Sequence, residues 1–265
     1  MNPHTPRFAL VLLLVAGGAC KPIEDKTGGT PGDKGNVEFT YQSGCFFGCP
    51  LEQPLLSGTH QVIQVTDPGD VEDLTVRSSD EEVAVFSMER ACFCERADST
   101  RRVDIALDAK CDAPWRKHCD NRVQVEAVAD GDARLELRDA HDAVLDRVTV
   151  LVRDADRAEF AVTFDDRAGT KQGTHFKAAP GDSLELAATL FDDAGRKLLA
   201  TDGLKWRTTD AEVATLSAWL RGSGAEVSTG LSVTVQVKSA GSAEVGITVP
   251  GLDMEDAHVT VEAQP

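Results

Sequence analysis

The sequence predicts an all-β protein whose mature part consists of two tandem β-sandwich domains. Two observations support this fold class: short runs in which apolar and polar residues alternate, and an internal repeat whose parts recur in the same order. Alternation with a period of two places one face of a strand in a core and the other in solvent, as in antiparallel sheets. After residue 20 no stretch keeps a helical period, so little helix is expected.

The alternating runs are short, and residues that favour turns separate them. Clear runs are VQVEAV from Val123, ARLEL from Ala133 and RVTVLV from Arg147, with SVTVQV from Ser232 and HVTVE from His258 later in the chain. Turn quartets lie between them, among them DPGD at 67–70, ADGD at 129–132 and SAGS at 239–242. Many short strands with frequent turns are typical of sandwiches and barrels.

The repeat divides the chain into two modules. LTVRSSDEEVAVFS at 74–87 matches LKWRTTDAEVATLS at 204–217, with seven of fourteen positions identical. VQVEAVADGDARLEL at 123–137 then matches VTVQVKSAGSAEVGI at 233–247, so that Gly131 is the counterpart of Gly241. Ordered matches over modules of more than 100 residues predict tandem domains. We assign residues 37–154 to the first sandwich and residues 155–265 to the second.

The first module carries about twenty additional residues. Ser87 and Val123 are 36 positions apart, whereas Ser217 and Val233 are 16 apart. This insertion, residues 88–122, contains four cysteines, whereas the second module contains none. The sandwich itself therefore needs no disulfide. We expect the insertion to project as a cross-linked loop from one end or edge of the first domain, because it has too few aliphatic residues to form a core of its own.

Cysteine usage predicts three disulfides. Six cysteines remain once Cys20 is set aside: Cys45, Cys49, Cys92, Cys94, Cys111 and Cys119. An even number in an exported chain indicates disulfides, with fifteen connectivities open. Cys92 and Cys94 are too close in sequence to bridge each other readily, so each is expected to reach Cys111, Cys119 or the Cys45–Cys49 pair.

A metal site is the alternative use of these cysteines. Its ligands would be Cys92, Cys94, Cys111, His118 and Cys119. Their spacing does not match paired CxxC zinc knuckles. An oxidising compartment also favours disulfides.

The first nineteen residues predict a secretory signal peptide. Arg7 precedes an unbroken apolar run of nine residues, and small residues lead to Cys20. Nine residues are far fewer than the roughly 20 that a membrane-spanning helix needs. The small residues followed by Cys20 resemble the lipobox of bacterial lipoproteins. The alternative is an ordinary cleaved signal in which Cys20 has no special role.

The lipobox resemblance implies a membrane anchor. In that family the cysteine thiol receives diacylglycerol, the signal peptide is cleaved before it, and the new amine is acylated. Lys21 follows Cys20, whereas an aspartate at that position often retains such proteins in the inner membrane; an outer-membrane location is therefore expected. Residues 20–36 are predicted to be the lipidated cysteine and a flexible tether, since they are charged, rich in Gly and Pro, and without an apolar pattern.

The second module also resembles a known domain family. LKWRTTDAEVATLS is similar to the W-x-S-S-D-x-x-V-A-x-V stretch of bacterial immunoglobulin-like domains of the group-2 type. SAGSAEVGITV and HVTVEA resemble that family's GTATIT and closing VTV strands. The resemblance implies an immunoglobulin-like sandwich in which Trp206 packs between the two sheets. It identifies a fold rather than a function, because such modules serve adhesins, enzyme accessories and spacers.

Charge and motifs narrow the function class. The formal net charge of −17 opposes binding to nucleic acid. No GxSxG, HExxH or phosphate-binding loop occurs, and no nucleophile–base set can be named. We therefore expect a non-enzymatic protein with no cofactor. The Asp130-Gly-Asp132 stretch has carboxylates suited to Ca²⁺ but not the ligand number of a defined loop.

Three functions remain open from the sequence. The first is a cell-surface lipoprotein that binds or adheres through its modules, with the insertion as the main contact surface. The second is a structural spacer or accessory subunit of an envelope assembly. The third is a carbohydrate-binding accessory that uses an exposed Trp115 or Trp219. The expected partners are the membrane through the lipid and either an envelope protein or a polysaccharide.

Overall fold

The structure is a computed structural model and is entirely β in its regular elements. The residues that it describes are 29–42, 50–66, 73–96, 102–106, 109–164, 170–201, 204–218, 222–250, 252 and 258–263. Within these ranges no helix could cross a bilayer. The predicted signal peptide, Cys20, Cys45 and Cys49 lie outside the described residues.

The first domain consists of two facing sheets. One has the order β1-β2-β4-β8-β6-β7 and the other the order β3-β10-β9-β5. The strands are β1 Thr30–Pro31, β2 Glu38–Tyr41, β3 Leu55–Leu56, β4 His60–Thr66, β5 Thr75–Ser78, β6 Ala84–Glu95, β7 Arg102–Ile105, β8 Arg116–Ala127, β9 Gly131–Arg138 and β10 Val144–Arg153.

The second domain repeats this arrangement. Its sheets have the orders β12-β11-β14-β19-β16-β17 and β13-β21-β20-β15-β18. The strands are β11 Arg157–Phe164, β12 Thr170–Gln172, β13 His175–Ala178, β14 Ser183–Phe191, β15 Leu204–Thr208, β16 Ala214–Ala218, β17 Gly222–Gly224, β18 Glu226–Thr229, β19 Ser232–Val237, β20 Gly241–Thr248 and β21 His258–Ala263.

Both domains have immunoglobulin-like topology. The order β2-β4-β8-β6 corresponds to strands A-B-E-D of that fold, and β5, β9 and β10 to strands C, F and G. In the second domain β11-β14-β19-β16 and β15, β20 and β21 take the same places. The first strand of each second sheet pairs in parallel with the last, β3 with β10 and β13 with β21. The predicted fold class, two tandem immunoglobulin-like sandwiches, is confirmed.

The internal repeat forms the same turn in both domains. Ala84 N–H donates to the Asp80 carbonyl over 3.1 Å, and Ala214 N–H donates to the Asp210 carbonyl over 2.9 Å. The two aspartate side chains also accept backbone hydrogen bonds two residues further on. Aspartate suits this position because its carboxylate binds the backbone of the turn that it begins. The sequence match therefore reflects a shared strand C–turn–strand D unit.

Trp206 is the central core residue of the second domain. It is fully buried on β15, its ring meets Phe160 edge-on at 6.4 Å, and its Nε1–H donates to the Gly230 carbonyl over 2.9 Å. A buried indole needs such a hydrogen-bond acceptor. The role implied by the family resemblance is thus the observed one. The first domain has the smaller, half-buried Val76 at the equivalent position of β5.

The predicted tether is shorter than expected, because residues 29–36 lie against the first domain. β1 pairs with β2, and the buried Asp146 carboxylate accepts the backbone N–H groups of Lys34, Asn36 and Val37 over 2.8–3.0 Å. Burial alone raises the pKa of the Asp146 carboxyl, but these donors and the N–H of Arg147 outweigh it and hold the pKa below its usual value. The carboxyl is therefore ionised at neutral pH. Composition did not predict this, since the partner is over a hundred residues away.

The two domains are joined through an exchange of leucines. Leu56 N–H donates to the Leu199 carbonyl over 3.0 Å, and Leu199 N–H donates to the Pro54 carbonyl over 2.8 Å. Leu55 packs in the core of the first domain, whereas Leu56 packs in that of the second. Leu199 belongs to the core of the first domain, whereas Leu198 belongs to that of the second. Alternation along two short extended segments thus contributes a side chain to each core.

The covalent linker is equally constrained. Only three residues separate the end of β10 from the start of β11. The middle one, Ala155, is 3% exposed and packs in the core of the second domain. Because Ala155 of the linker and the exchanged leucines are buried, the two domains share core contacts rather than being joined by an exposed tether.

Candidate interaction surface

The cysteine-rich insertion is a β-ribbon, not the loop that we expected. β6 and β8 have twelve residues each, whereas their counterparts β16 and β19 have five and six. The two long strands pair without interruption from Ala84–Ala127 to Glu95–Arg116. The additional residues therefore lengthen two strands of the sandwich, and the backbone is paired along the whole length of both strands. β7 adds a third strand to the ribbon.

Two disulfides cross-link this ribbon. Cys92 on β6 bonds to Cys119, its direct register partner on β8, and Cys94 bonds to Cys111 in the segment that precedes β8. Each of the two closely spaced cysteines thus reaches a partner in the second half of the insertion. All four cysteines of the insertion are thus disulfide-bonded, and none of them is a thiolate that could bind the metal of the alternative interpretation.

The opposite face of the ribbon carries a small aromatic cluster. Phe93 is 3% exposed, and its ring lies 5.2 Å from that of His118, its register partner. Trp115, the residue before β8, is half-buried and is not part of this ring pair, and Trp219 lies outside the described residues. The ribbon therefore has a disulfide face and an aromatic face. Backbone pairing and the two disulfides hold its strands together.

A cleft of about 520 Å³ lies on the disulfide face, where the ribbon leaves the sandwich. Arg90 and Lys117 line it, together with the carboxylate of Asp73, the one acidic residue among the described residues of its lining. Met88, the Cys92–Cys119 bridge and Leu74 supply its apolar surface. Lys117 Nζ also donates to the Ala109 carbonyl over 3.0 Å. The cleft thus combines two cations with an apolar floor.

Charge is distributed unevenly between the insertion and the rest of the chain. Residues 88–122 contain eight Lys and Arg against seven Asp and Glu, whereas the remaining residues contain 19 against 37. Like charges repel at the approach of two surfaces, and salt screens them only beyond about 10 Å. The insertion is therefore the part of the molecule that an anionic partner can approach with the least repulsion.

Candidate chemistry elsewhere has structural explanations. The Asp192 carboxylate is buried and accepts both the backbone N–H and the Nε–H of Arg196 over 2.7 Å, which closes a turn. Asp132 pairs with Arg153, and Asp130 accepts the backbone N–H of Asp154. Within the described ranges no group of three or more His, Cys, Asp or Glu side chains is arranged to hold a metal ion.

Sequence reasoning located the insertion but missed its shape. The alternating pattern in SMERACFCE and RKHCDNRV is weak, because charged residues occupy inward positions once the ribbon has left the core. The useful signal was the position of the insertion between two strands that pair with each other in the second module. Extending such a pair is the simplest way to satisfy the added backbone groups.

The comparisons with known proteins show fold likeness only. No family model and no curated protein matches the sequence. Domains 4 and 5 of the S-layer protein SbsC are 19% identical, with a TM-score of 0.28 over 73% of this chain and 77% of that one. The Escherichia coli adhesin FdeC is 10% identical, with a TM-score of 0.32 over 87% of this chain and 64% of that one. The D00-D0 domain of Intimin is 12% identical, with a TM-score of 0.24 over 85% and 96%.

These values limit what the similarities can support. Each TM-score is below 0.5 and each identity is below 25%, so no functional argument follows from them. The chain also spans less than two thirds of the adhesin chain. The disulfides bear on location independently, since such bonds are typical of oxidising, extracytoplasmic compartments.

Proposed function

We propose that this protein is a non-enzymatic, outer-membrane lipoprotein that is anchored through Cys20 and binds a partner at the cell surface through its cross-linked ribbon. The ribbon is the observation that carries the proposal: it is the main difference between two otherwise matching domains. A spacer needs no such projection. Two disulfides within about thirty residues restrict the unfolded chain and so hold a defined contact surface.

The partner that the ribbon suits best is an anionic envelope component, either a polysaccharide or an acidic protein segment. The cleft presents Arg90 and Lys117 above an apolar floor. Arginine and lysine bind carboxylates and phosphates through charge-assisted hydrogen bonds. The acidic remainder of the molecule would repel such a partner, so contact would be confined to the ribbon.

Removing the ribbon should abolish binding and leave the fold intact. Cys92 and Cys119 have Cα atoms 4.0 Å apart, which marks a non-hydrogen-bonded pair. Their neighbours Ala91 and Asp120 are therefore a hydrogen-bonded pair, which a two-residue Asn-Gly turn can close. The test uses purified chain without the lipid anchor (Cys20→Ser) added to envelope fractions. We expect the Cys20→Ser chain in which Asn-Gly also replaces residues 92–119 to co-sediment at least about tenfold less than the Cys20→Ser chain alone, measured by quantitative immunoblotting.

Charge reversal in the cleft tests whether binding depends on its two cations or on another part of the ribbon. The double variant Arg90→Glu/Lys117→Glu should bind as weakly as the ribbon deletion. Lys177 and Lys238 are exposed cations of the second domain, and the control variant Lys177→Glu/Lys238→Glu should bind like the unaltered chain. Undiminished binding by the chain without its ribbon would refute the proposed contact surface.

The anchor has its own test. The chain with Cys20→Ser should appear in the soluble fraction, because it lacks the thiol that carries the lipid. Stable anchoring requires more than one acyl chain, since a single chain binds a membrane only marginally. Mass spectrometry of the unaltered protein should find lipid on Cys20. Retention of the Cys20→Ser chain in the membrane, with no lipid detected on the unaltered protein, would contradict the assignment.

A spacer or accessory subunit is the second candidate, and the short linker with its buried Ala155 and the leucine exchange favour it. Two sandwiches that share core contacts would hold the second domain at a constant distance from the membrane. This candidate predicts that the chain without its ribbon keeps every envelope interaction. A carbohydrate-binding accessory would instead give glycan-array signals that Trp115→Ala removes.

A further inference from the structure

The two domains differ at the outer edge of strand C. In the second domain β15 pairs with β20 on one side and with β18 on the other. In the first domain β5 pairs with β9 only, and no strand among the described residues covers its other edge. The chain that crosses to this edge as β18 in the second domain is replaced, in the first, by the ribbon.

The backbone of β5 presents hydrogen-bonding groups at this edge. Ser79 N–H donates to the Arg134 carbonyl of β9, and its counterpart Thr209 N–H donates to the Glu244 carbonyl of β20. Because successive N–H groups alternate in direction along a strand, those of Val76 and Ser78 point away from β9. In the second domain the counterpart of Ser78 is Thr208, and its outward N–H is hydrogen-bonded: it donates to the Ala225 carbonyl beside β18 over 2.9 Å.

An arginine stands at the same position of this edge strand in both domains. In the second domain Arg207 on β15 is the register partner of Glu226 on β18, and its Nε lies 2.6 Å from the Glu226 carboxylate. The counterpart of Arg207 in the first domain is Arg77. Its side chain is 60% exposed and forms a surface ion pair with Asp142, its one ion-pair partner among the residues that the structure describes. Such a pair contributes little, so Arg77 can turn to a carboxylate on a docked strand.

We propose that the outer edge of β5 binds an extended strand of a partner protein, antiparallel to β5 and with an acidic side chain opposite Arg77. This interaction surface is the backbone edge of β5, which begins directly after Asp73 and Leu74 of the cleft lining; the proposal does not depend on the function of the ribbon. The docked strand occupies the place of β18. Addition of a strand to an open sheet edge is a general mode of peptide recognition, in which main-chain hydrogen bonds supply affinity and side chains supply specificity.

The test uses the full chain and a fluorescent peptide with the sequence of residues 224–231, GAEVSTGL, followed by fluorescence anisotropy. Val76→Pro removes an outward N–H without touching the β9 ladder, which proline tolerates at a sheet edge. We expect at least about tenfold weaker binding by this variant. Val76→Ala is the matched control, since it loses packing but keeps the N–H, and should bind within about threefold of the unaltered chain.

Charge exchange provides a second variant that leaves the backbone unchanged. Arg77→Glu replaces an attraction with a repulsion, so it should bind the peptide about three- to tenfold more weakly and recover with a peptide in which Lys replaces the glutamate. A peptide that does not bind the unaltered chain, or binds the Val76→Pro chain equally well, would overturn the proposal. Sedimentation should find the chain monomeric; a dimer that Val76→Pro dissociates would assign the edge to a second copy and also overturn it.

Discussion

Replacing Leu56 with alanine should destabilise the second domain, although Leu56 belongs to a strand of the first. Its side chain is fully buried among core residues of the second domain. Truncation of a buried leucine costs about 2–5 kcal/mol, the loss of transfer free energy plus the cavity. Urea denaturation should report this loss. Hydrogen exchange should place the increased opening in β14, β15 and β20.

The neighbouring residue supplies the control. Leu55 lies on the same strand, and its side chain is 1% exposed but packs in the core of the first domain. Leu55→Ala should lose a similar free energy and increase exchange in β4 and β9 instead. On the other segment, Leu198→Ala should increase exchange in the second domain and Leu199→Ala in the first. Equal exchange patterns in the Leu55 and Leu56 variants would show that the cores are not exchanged.

Gly241→Ala should cost about 3 kcal/mol, the sum of steric overlap and backbone strain. Gly241 has a φ of 153°, and a Cβ atom there would lie 2.6 Å from Cγ2 of Val213. Gly131 has a φ of 154° and the same distance to Cγ2 of Val83. The two glycines are matched in the internal repeat, so Gly131→Ala should cost a similar amount. Chemical denaturation of each variant measures the effect.

A double mutant separates the two contributions. Val213→Ala removes the atom that the new Cβ would meet, so the Gly241→Ala/Val213→Ala chain should be more stable than the sum of the single losses predicts. Ser242→Ala, at the next and exposed position of β20, should change stability by less than about 0.5 kcal/mol. A Gly241→Ala chain as stable as the unaltered one would contradict the close approach.

Features that local patterns control were predicted well. Alternation identified the strands from Val123 to Arg153 and from Ser232 onward, because a side-chain period of two is a property of the strand itself. The repeat located the shared turn at Asp80 and Asp210. The family resemblance predicted that Trp206 lies in the core, and the structure shows it fully buried.

The candidate site was predicted only in part. Cysteine count and position indicated that the insertion is cross-linked, but fifteen connectivities were open until strand register placed Cys92 opposite Cys119. The open edge of β5 had no signal in its own residues. It became visible only when the second domain showed a strand, β18, at the equivalent edge.

By itself the sequence determined what short-range chemistry controls: an all-β chain, two related modules, the turns that begin with aspartate, and the segment in which they differ. Tertiary structure alone decided which distant groups meet. Asp146 holds residues 34–37, Leu56 and Leu199 exchange cores, and the insertion continues two strands as a ribbon. Each depends on contacts between residues far apart in the chain. Such contacts form only when the entropy lost in closing long loops is offset by burial, which composition and local patterning do not encode.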